Sequence, residues 1–381
     1  MGAYSVRKKG ISASGEDELG SFVFDLPESF VARRPVSPRS SSKLMVLDRG
    51  AKSVFHSSFE SLPSYFDEGD CLVLNETRVL PCRLDGTRTA TGGRLELLFV
   101  RKSGGALWEA LVRPTRRLRE GTSISVAGGA EVKVAERVSG ATFLFEVPDD
   151  FEGYLEKWGK MPIPPYLKRP PDSEDREDYQ TVYARVSGSS AAPTAGLHFS
   201  GETIRKLEAR GVSVTKLVLH VGPGTFKPLI PGSLASQRLD PEYYKITAET
   251  CQVINRARGR GGRVFAVGTS TARALESAAE VGKVSVEQGN GSAVQKSAGA
   301  ASGRRIAASL EPQEGWTEKF IYPPYEFRSI DALVTNFHLP ASSVLLLVCA
   351  FAGREFLLSA YEEAKAKGYR FYSYGDAMLI L

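Results

Sequence analysis

Apolar and polar positions follow two rhythms along this chain. Between Asp70 and Asp149 the segments "CLVL", "RVLPCRL", "RLELLFVR", "LWEALVR", "TSISV", "EVKVAE" and "TFLFEV" are separated by "DGT", "SGG", "REG" and "AGG". Short apolar segments bounded by glycine turns predict six or seven strands in a small antiparallel barrel or sandwich. The stretch "MPIPPYLKRPP" (Met161–Pro171) comes next. Its prolines can neither extend a helix nor donate within a central ladder, so it is expected to be an ordered connecting loop.

Beyond Ser200 the period lengthens. "SGETIRKLEARG" predicts a helix capped by Ser200 and stopped by Gly211. Strands are predicted at "VSVTKLVLHV", "RVFAVGTS" and "SIDALVTNF", alternating with helices at "TAETCQVINRARG", "TARALESAAEV" and around Val344–Lys367. "YRFYSYG" is read as a closing strand, and "FVFDLPESFVARRPV" near the start as a strand followed by a short helix. Such alternation predicts an α/β main domain with a mostly parallel sheet. The expected organisation is therefore a discontinuous α/β domain, residues 20–70 and 150–381, with a small antiparallel β-barrel domain inserted at 71–149. Residues 283–314 are poor in large apolar side chains and read as a flexible insertion.

With 42% apolar and 24% charged residues in 381, the chain has a globular composition with enough apolar content for a sizeable core. The longest apolar run, "SSVLLLVCAFAG", is too short for a bilayer, and "MGAYSVRKKG" lacks a secretory apolar segment. A cytoplasmic protein without a membrane partner is expected. Cys71, Cys82, Cys251 and Cys349 form no close pair, which fits reduced thiols better than disulfides or zinc. A net charge of +5 permits a nucleic-acid partner without requiring one.

Only four histidines are present, and three share a context. His198 in "TAGLHF", His220 in "LVLHVGPGTF" and His338 in "LVTNFHLP" each lie at or just after an apolar segment, beside Gly or Pro. Residues at the carboxyl ends of strands line the ligand crevice of open α/β sheets, so these turns are expected to bring three imidazoles to one cleft. Any one of them alone reads more readily as the cap of a core edge; three in matching contexts point towards function. His56, in "SVFHSSF", reads as a surface residue. A metal site assembled from distant segments is the rival use of the same residues. No HExxH or close His/Cys spacing supports it, and no metal is expected.

The turns around these histidines bring further candidates: Thr194 and Gly196, then Gly222, Gly224 and Thr225, then Asn336. In "AVGTSTAR", Gly268 allows a tight turn. Thr269, Ser270 and Thr271 then offer N–H and hydroxyl groups at a helix start, suited to a carboxylate or phosphate. An ordinary N-cap would need one such hydroxyl. Asn75, Glu76 and Arg78 in "LVLNETRVLPCRL" are either a structural network or a ligand clamp. Arg113, Arg116, Arg117 and Arg119 in "VRPTRRLREG" form a solvated face or, against nucleic acid, a phosphate track.

Taken in order, "FDLPESFVARRP", "LVLNETRVLPCRL", "MPIPPYLKR", "YQTVYAR", "AAPTAGLHF", "LHVGPGTFKP", "AVGTSTARALES", "DALVTNFHLP" and "YRFYSYGDAMLI" resemble the S-adenosylmethionine:tRNA ribosyltransferase-isomerase family of queuosine biosynthesis, from about Phe24 onward. The resemblance implies a cytosolic tRNA-modifying enzyme with an α/β domain and an inserted β-barrel, and a monomer is expected. Its substrates would be S-adenosylmethionine, consumed rather than used as a cofactor, and tRNA bearing 7-aminomethyl-7-deazaguanine at the wobble position. The ribosyl moiety would be transferred and isomerised to give epoxyqueuosine-tRNA, with adenine and methionine released. This reaction needs a base and an acid, roles expected of His198, His220 and His338 with Asp376 as partner. The methionine carboxylate would rest on Thr269–Thr271, and the sulfonium against Tyr322 or Tyr325. Lys168 and Arg169, with Arg113, Arg116 and Arg117, would meet tRNA phosphates. Three departures from the family pattern stand out: Pro223 in place of Ala, Pro324 in place of Gly, and the absence of two histidines from "SQRLDPEYY". They leave open a paralogue with altered substrate or a non-catalytic RNA-binding role.

Overall fold

The computed structural model describes residues 19–226, 229, 233–236, 238–287 and 309–381. A nine-stranded mixed sheet forms the main body. In spatial order its strands are Gln313–Lys319, Arg238–Ile246, Ser213–Leu219, Cys71–Asn75, Val264–Val267, Ala332–Asn336, Ala377–Ile380, Lys43–Asp48 and Ser53–Ser58. The four strands from Ser213–Leu219 to Ala332–Asn336 run parallel. Both flanks are antiparallel except for the parallel pairing of Ala377–Ile380 with Lys43–Asp48. The expected α/β body is thus present, with parallel order at its centre rather than throughout.

Central strands read as unbroken apolar runs because both faces are covered. Side chains alternate between faces: Cys71 and Val73 join a core with helices Ala248–Gly259, Thr269–Glu287 and Ser343–Ala352. Leu72 and Leu74 join a second core with Phe66, Phe199 and Leu207. The helix expected around Val344–Lys367 is two, Ser343–Ala352 and Arg354–Ala366, bent by 110°. Gly353, at φ +92°, makes the break. No single helix among the described residues is long and apolar enough to cross a membrane.

A closed barrel of six strands spans Arg83 to Glu146. Leu95, Leu97 and Phe99 point inward from one strand, where Phe99, Trp108 and Phe151 pack edge-on at 4.7–5.5 Å. Gly86 leaves room that a side chain would deny: a Cβ there would lie 2.7 Å from Ile124.

Three expectations need correction. "CLVL" is a central strand of the main sheet and not the first strand of the barrel, because its two apolar faces are both buried there. "YRFYSYG" is a turn; the Asp376 carboxylate accepts the N–H of Arg370 at 2.8 Å and folds the segment back, leaving Ala377–Ile380 as the last strand. "FVFDLPESF" contains no strand, only the short 3₁₀ turn Glu28–Phe30, anchored by Phe24 on Tyr361 and Phe30 on Phe371. Of the insertion, residues 283–287 end a helix and 313–314 begin a strand, while 288–308 lie outside the described residues.

One buried carboxylate fastens the proline-rich connection to the body. Asp175 is fully buried and accepts two bonds from Arg169, at 2.5 and 2.7 Å, one from the N–H of Asp172 and one from Tyr374. Burial pushes its carboxyl up, but the Arg169 bond, the Asp172 N–H and the charges of Arg169 and Arg34 hold it below the usual range. Asp175→Ala would leave a guanidinium without its anion and is expected to cost about 3–5 kcal/mol, measured as a lower urea midpoint; Asp175→Asn should cost less.

Candidate active site

The carboxyl ends of the parallel strands open onto a cleft, where the topology predicts one. One wall comes from the turn after Val267. Gly268 adopts φ +88° and donates to the carbonyl of Val334 at 2.8 Å, which aims Thr269 and Ser270 into the cleft. Thr271 turns away: its hydroxyl donates to the carbonyl of Val267 at 2.6 Å. Behind this turn the buried amide of Asn75 donates to Ser270 (3.2 Å) and the Leu219 carbonyl (2.9 Å). Its oxygen accepts the N–H groups of Leu219 and Thr77. Glu76 and Arg78 pair elsewhere, with Arg185 and Glu156, so this motif is a structural network.

The three histidines do not share the cleft; only His338 lines it. Its Nε2 lies 2.7 Å from the Thr335 hydroxyl, its N–H donates to Tyr361, and burial lowers its pKa to about 3. His198 sits behind the wall, 4% exposed. Asn336 donates to its Nε2 at 3.1 Å, and Ser42 lies 2.8 Å from Nδ1. Asn336 also donates to the carbonyl of Tyr372, which fixes the amide, so Nε2 accepts and Nδ1 carries the proton. Burial lowers this pKa to about 4, against an opposing pull from Asp376.

His220 faces the outside of the sheet. Its Nδ1 lies 2.7 Å from Thr77 and its ring stacks on Tyr243. Gly188, at φ +142°, makes space for it: a Cβ there would lie 2.6 Å from Nε2. Desolvation lowers the His220 pKa to about 4. His198, at the end of the 3₁₀ turn Thr194–His198, and His220, just after the strand Ser213–Leu219, are held outside the cleft by these hydrogen-bond partners. Asp376 is committed to Lys43 and Arg370. His56, on the surface side, bridges Tyr369 and Glu363.

Among the remaining candidates, Thr194 and Asn336 line the cleft, joined by a 3.2 Å hydrogen bond. Gly196 does not line it and serves packing, since a Cβ would fall 2.0 Å from the Tyr183 hydroxyl. Gly222 donates to Glu242 at 2.7 Å, and Gly224 packs close to Asp240. The Thr225 side chain lies outside the described residues. Tyr322 packs on Phe320 and Tyr325 bonds Glu276; neither lines the cleft.

The aromatic surface is supplied instead by Tyr166, Phe337 and Tyr372, the first and last 4.7 Å apart. Tyr372 is held at φ +71°, a conformation that a bulky residue keeps only where its surroundings impose it. Glu242 and Arg273 also line the cleft, paired at 2.8 Å and nearly buried. The Arg273 Nη2 also donates to the carbonyl of Thr317, while its Nε has no partner among the described residues. Arg273 was within reach of sequence reasoning: it lies three residues after Ser270, on the same helical face. No group of three His, Cys, Asp or Glu among the described residues is placed to hold a metal.

Of the residues expected to contact tRNA, Arg169 is tied to Asp175 and Lys168 pairs with Glu28 at 2.6 Å. Structural partners therefore occupy both. Arg113, Arg116 and Arg117 are exposed on the barrel, and no ion pair among the described residues engages them.

Residues 19–380 match the family model described as "Queuosine biosynthesis protein". A relative from Pelobacter propionicus, named S-adenosylmethionine:tRNA ribosyltransferase-isomerase, is 46% identical over 94% of this chain and 98% of its own length. One of the same name from Pelotomaculum thermopropionicum is 44% identical, over 95% and 99% respectively. The crystal structure of S-adenosylmethionine tRNA ribosyltransferase from Thermotoga maritima is 32% identical, covers 95% of this chain and all of its own, and superposes with a TM-score of 0.50.

Three imidazoles held neutral have a consequence for stability. An unfolded histidine takes up a proton near pH 6.5, whereas His198 in the fold resists it down to about pH 4. The unfolded state then binds more protons between those values, so stability is complete above about pH 6.5 and falls as the pH drops towards 4. For His198 the loss is roughly 3 kcal/mol. Urea titrations across this range should show the decline, and His198→Gln should make it shallower.

Proposed function

The chain belongs to the queuosine-biosynthesis family of S-adenosylmethionine:tRNA ribosyltransferase-isomerases, and from that premise we propose how its cleft carries out the reaction. The ribosyl moiety of S-adenosylmethionine is transferred to 7-aminomethyl-7-deazaguanine at the wobble position of tRNA and rearranged to the epoxycyclopentanediol of epoxyqueuosine. Adenine and methionine leave. The proposal includes a monomeric, cytoplasmic enzyme that consumes the sulfonium as substrate and needs no further cofactor.

One observation carries this reading: a single cleft combines a charged pair, a helix start and an aromatic wall. The amino-acid end of the donor is a zwitterion. Its carboxylate suits the Thr269–Ser270 helix start and Arg273, and its ammonium suits Glu242. A sulfonium is a soft cation, attracted to the faces of Tyr166 and Tyr372. These rings replace Tyr322 and Tyr325 in that role. The ribose and adenine then extend along Thr194, Asn336 and His338.

The first chemical demand is removal of a proton from the ribose carbon bonded to sulfur, which the positive charge acidifies. His338 is the imidazole that lines the cleft, and its depressed pKa keeps it neutral and able to accept throughout the physiological range. A base of such low pKa is weak, so the acidity conferred by the sulfonium carries more of the step. His198, His220 and Asp376 are not carried forward as acid or base, because each is held outside the cleft. Arg113, Arg116 and Arg117 supply phosphate contacts for the tRNA.

Non-catalytic RNA binding is not favoured, since relatives named for the enzyme match over nearly the whole chain. Glu242 also remains in the cleft although its two expected histidine neighbours are missing.

Incubation with S-adenosylmethionine and precursor-bearing tRNA should release adenine and methionine in equal amounts, whereas S-adenosylhomocysteine as the product would indicate methyl transfer and refute the reading. His338→Gln should lower kcat by about a hundredfold or more. Wild-type kcat/KM should show no loss attributable to histidine protonation near pH 6.5. Single-turnover adenine release at the wild-type rate in His338→Gln would remove His338 from the mechanism.

A further inference from the structure

A row of rings crosses the outer face of the sheet at its antiparallel edge. His220 stacks on Tyr243 with centroids 5.4 Å apart and planes 22° from parallel. Tyr243 meets Trp316 edge-on at 5.9 Å, the two being direct register partners on adjacent strands. The row ends on the barrel, where the Arg101 guanidinium lies 5.0 Å from the Trp316 ring. Strand alternation produces this arrangement. Glu242 lines the cleft and Tyr244 enters the core, so Tyr243 between them is turned to the opposite face. At the other end, Val221, next to His220, lines the cleft.

Trp316 is 55% exposed, the most open of the three tryptophans. A packing role would hide such a ring; here one side rests on Tyr243 and Arg101 and much of the remainder faces solvent. Nearby carboxylates are neutralised: Glu314 by Lys245, Glu318 by Arg238 and Glu109 by Arg101. A polyanion is therefore not repelled. An exposed aromatic face flanked by a guanidinium has the chemistry that holds unpaired nucleobases by stacking. Bases within a duplex offer no free face to such a ring.

We infer that His220, Tyr243, Trp316 and Arg101 form a stacking platform for unpaired bases of the RNA substrate, with Trp316 as its main contact. This rests on the tRNA reading above and adds the loop-recognition surface to it. Stacking and phosphate contacts differ in salt dependence, because only phosphate contacts release counterions. Two separate signatures are therefore expected.

The test measures affinity of the full chain for an anticodon stem-loop RNA, and for the same stem continued as a duplex, over a range of salt. Trp316→Ala should weaken stem-loop binding by about tenfold and leave the slope of log affinity against log salt unchanged. Trp316→Phe should recover most of the loss, and duplex binding should not respond to either change. Replacing Arg116 and Arg117 by alanine should instead make the slope shallower. Unchanged stem-loop affinity in Trp316→Ala, while the wild type prefers the loop to the duplex, overturns the platform and spares the tRNA reading. A wild type that binds neither RNA overturns both.

Discussion

Where parallel strands end, their backbone N–H and C=O groups lose their ladder partners, and the cleft depends on how those groups are satisfied without being covered. Two buried asparagines do this. Asn75 closes the end of its strand by exchanging bonds with both backbone groups of Leu219 and by supporting Ser270. Asn336 does the same on the next side, taking the carbonyl of Tyr372 and the ring of His198 while accepting from Thr194. A buried amide left half-paired is costly. Asn75 makes all four of its bonds within the fold and Asn336 three of its four, so the crevice keeps its shape with nothing bound.

This constraint also accounts for a scarce imidazole at the end of "PTAGLH". The position behind Asn336 needs an acceptor on one side and a donor on the other, and a neutral imidazole in a fixed tautomer offers both. Ser42 and Asn336 occupy its two nitrogens. His198 is thus the support of a cleft residue, and burial keeps it uncharged in that role. His220 has a comparable function on the outer face, held by Thr77 below and Tyr243 above. Shared sequence context signalled a shared sheet edge correctly; it did not determine which side of that edge each ring would take.

Much of the architecture was legible because alternation and turn chemistry are local. The barrel strands from Arg83 onward, the Ser200 cap and the helix after Gly268 all follow from neighbours within a few residues. What escaped was decided at long range. Cys71–Asn75 carries the same short apolar signature as a barrel strand, and only its pairing with strands formed some 140 and 190 residues later assigns it to the main sheet. In the site, Thr194, Gly268, Thr269, Ser270, Asn336 and His338 could be found because they sit at strand ends. Tyr372 could not, since its positive φ leaves no mark on the sequence. Glu242 was hidden because its importance lies in a partner on another element.

That partner gives the cleft its electrostatic character. Removing Glu242 and Arg273 from water costs several kcal/mol per charge, which their mutual attraction offsets only in part. Such a pair is a poor device for stability alone, and apolar residues would fill the space at lower cost. Placed at a cleft wall, however, the two charges are already desolvated and oriented before a ligand arrives. A zwitterion entering beside them exchanges one set of opposite charges for another, so little reorganisation is needed. Among the described residues the Nε of Arg273 has no partner, which leaves a donor uncommitted within this arrangement. Two expected imidazoles are missing upstream of Glu242, yet the carboxylate is retained with its N–H bond from Gly222. The charged pair proposed to meet the sulfonium amino acid therefore survives the departure in sequence.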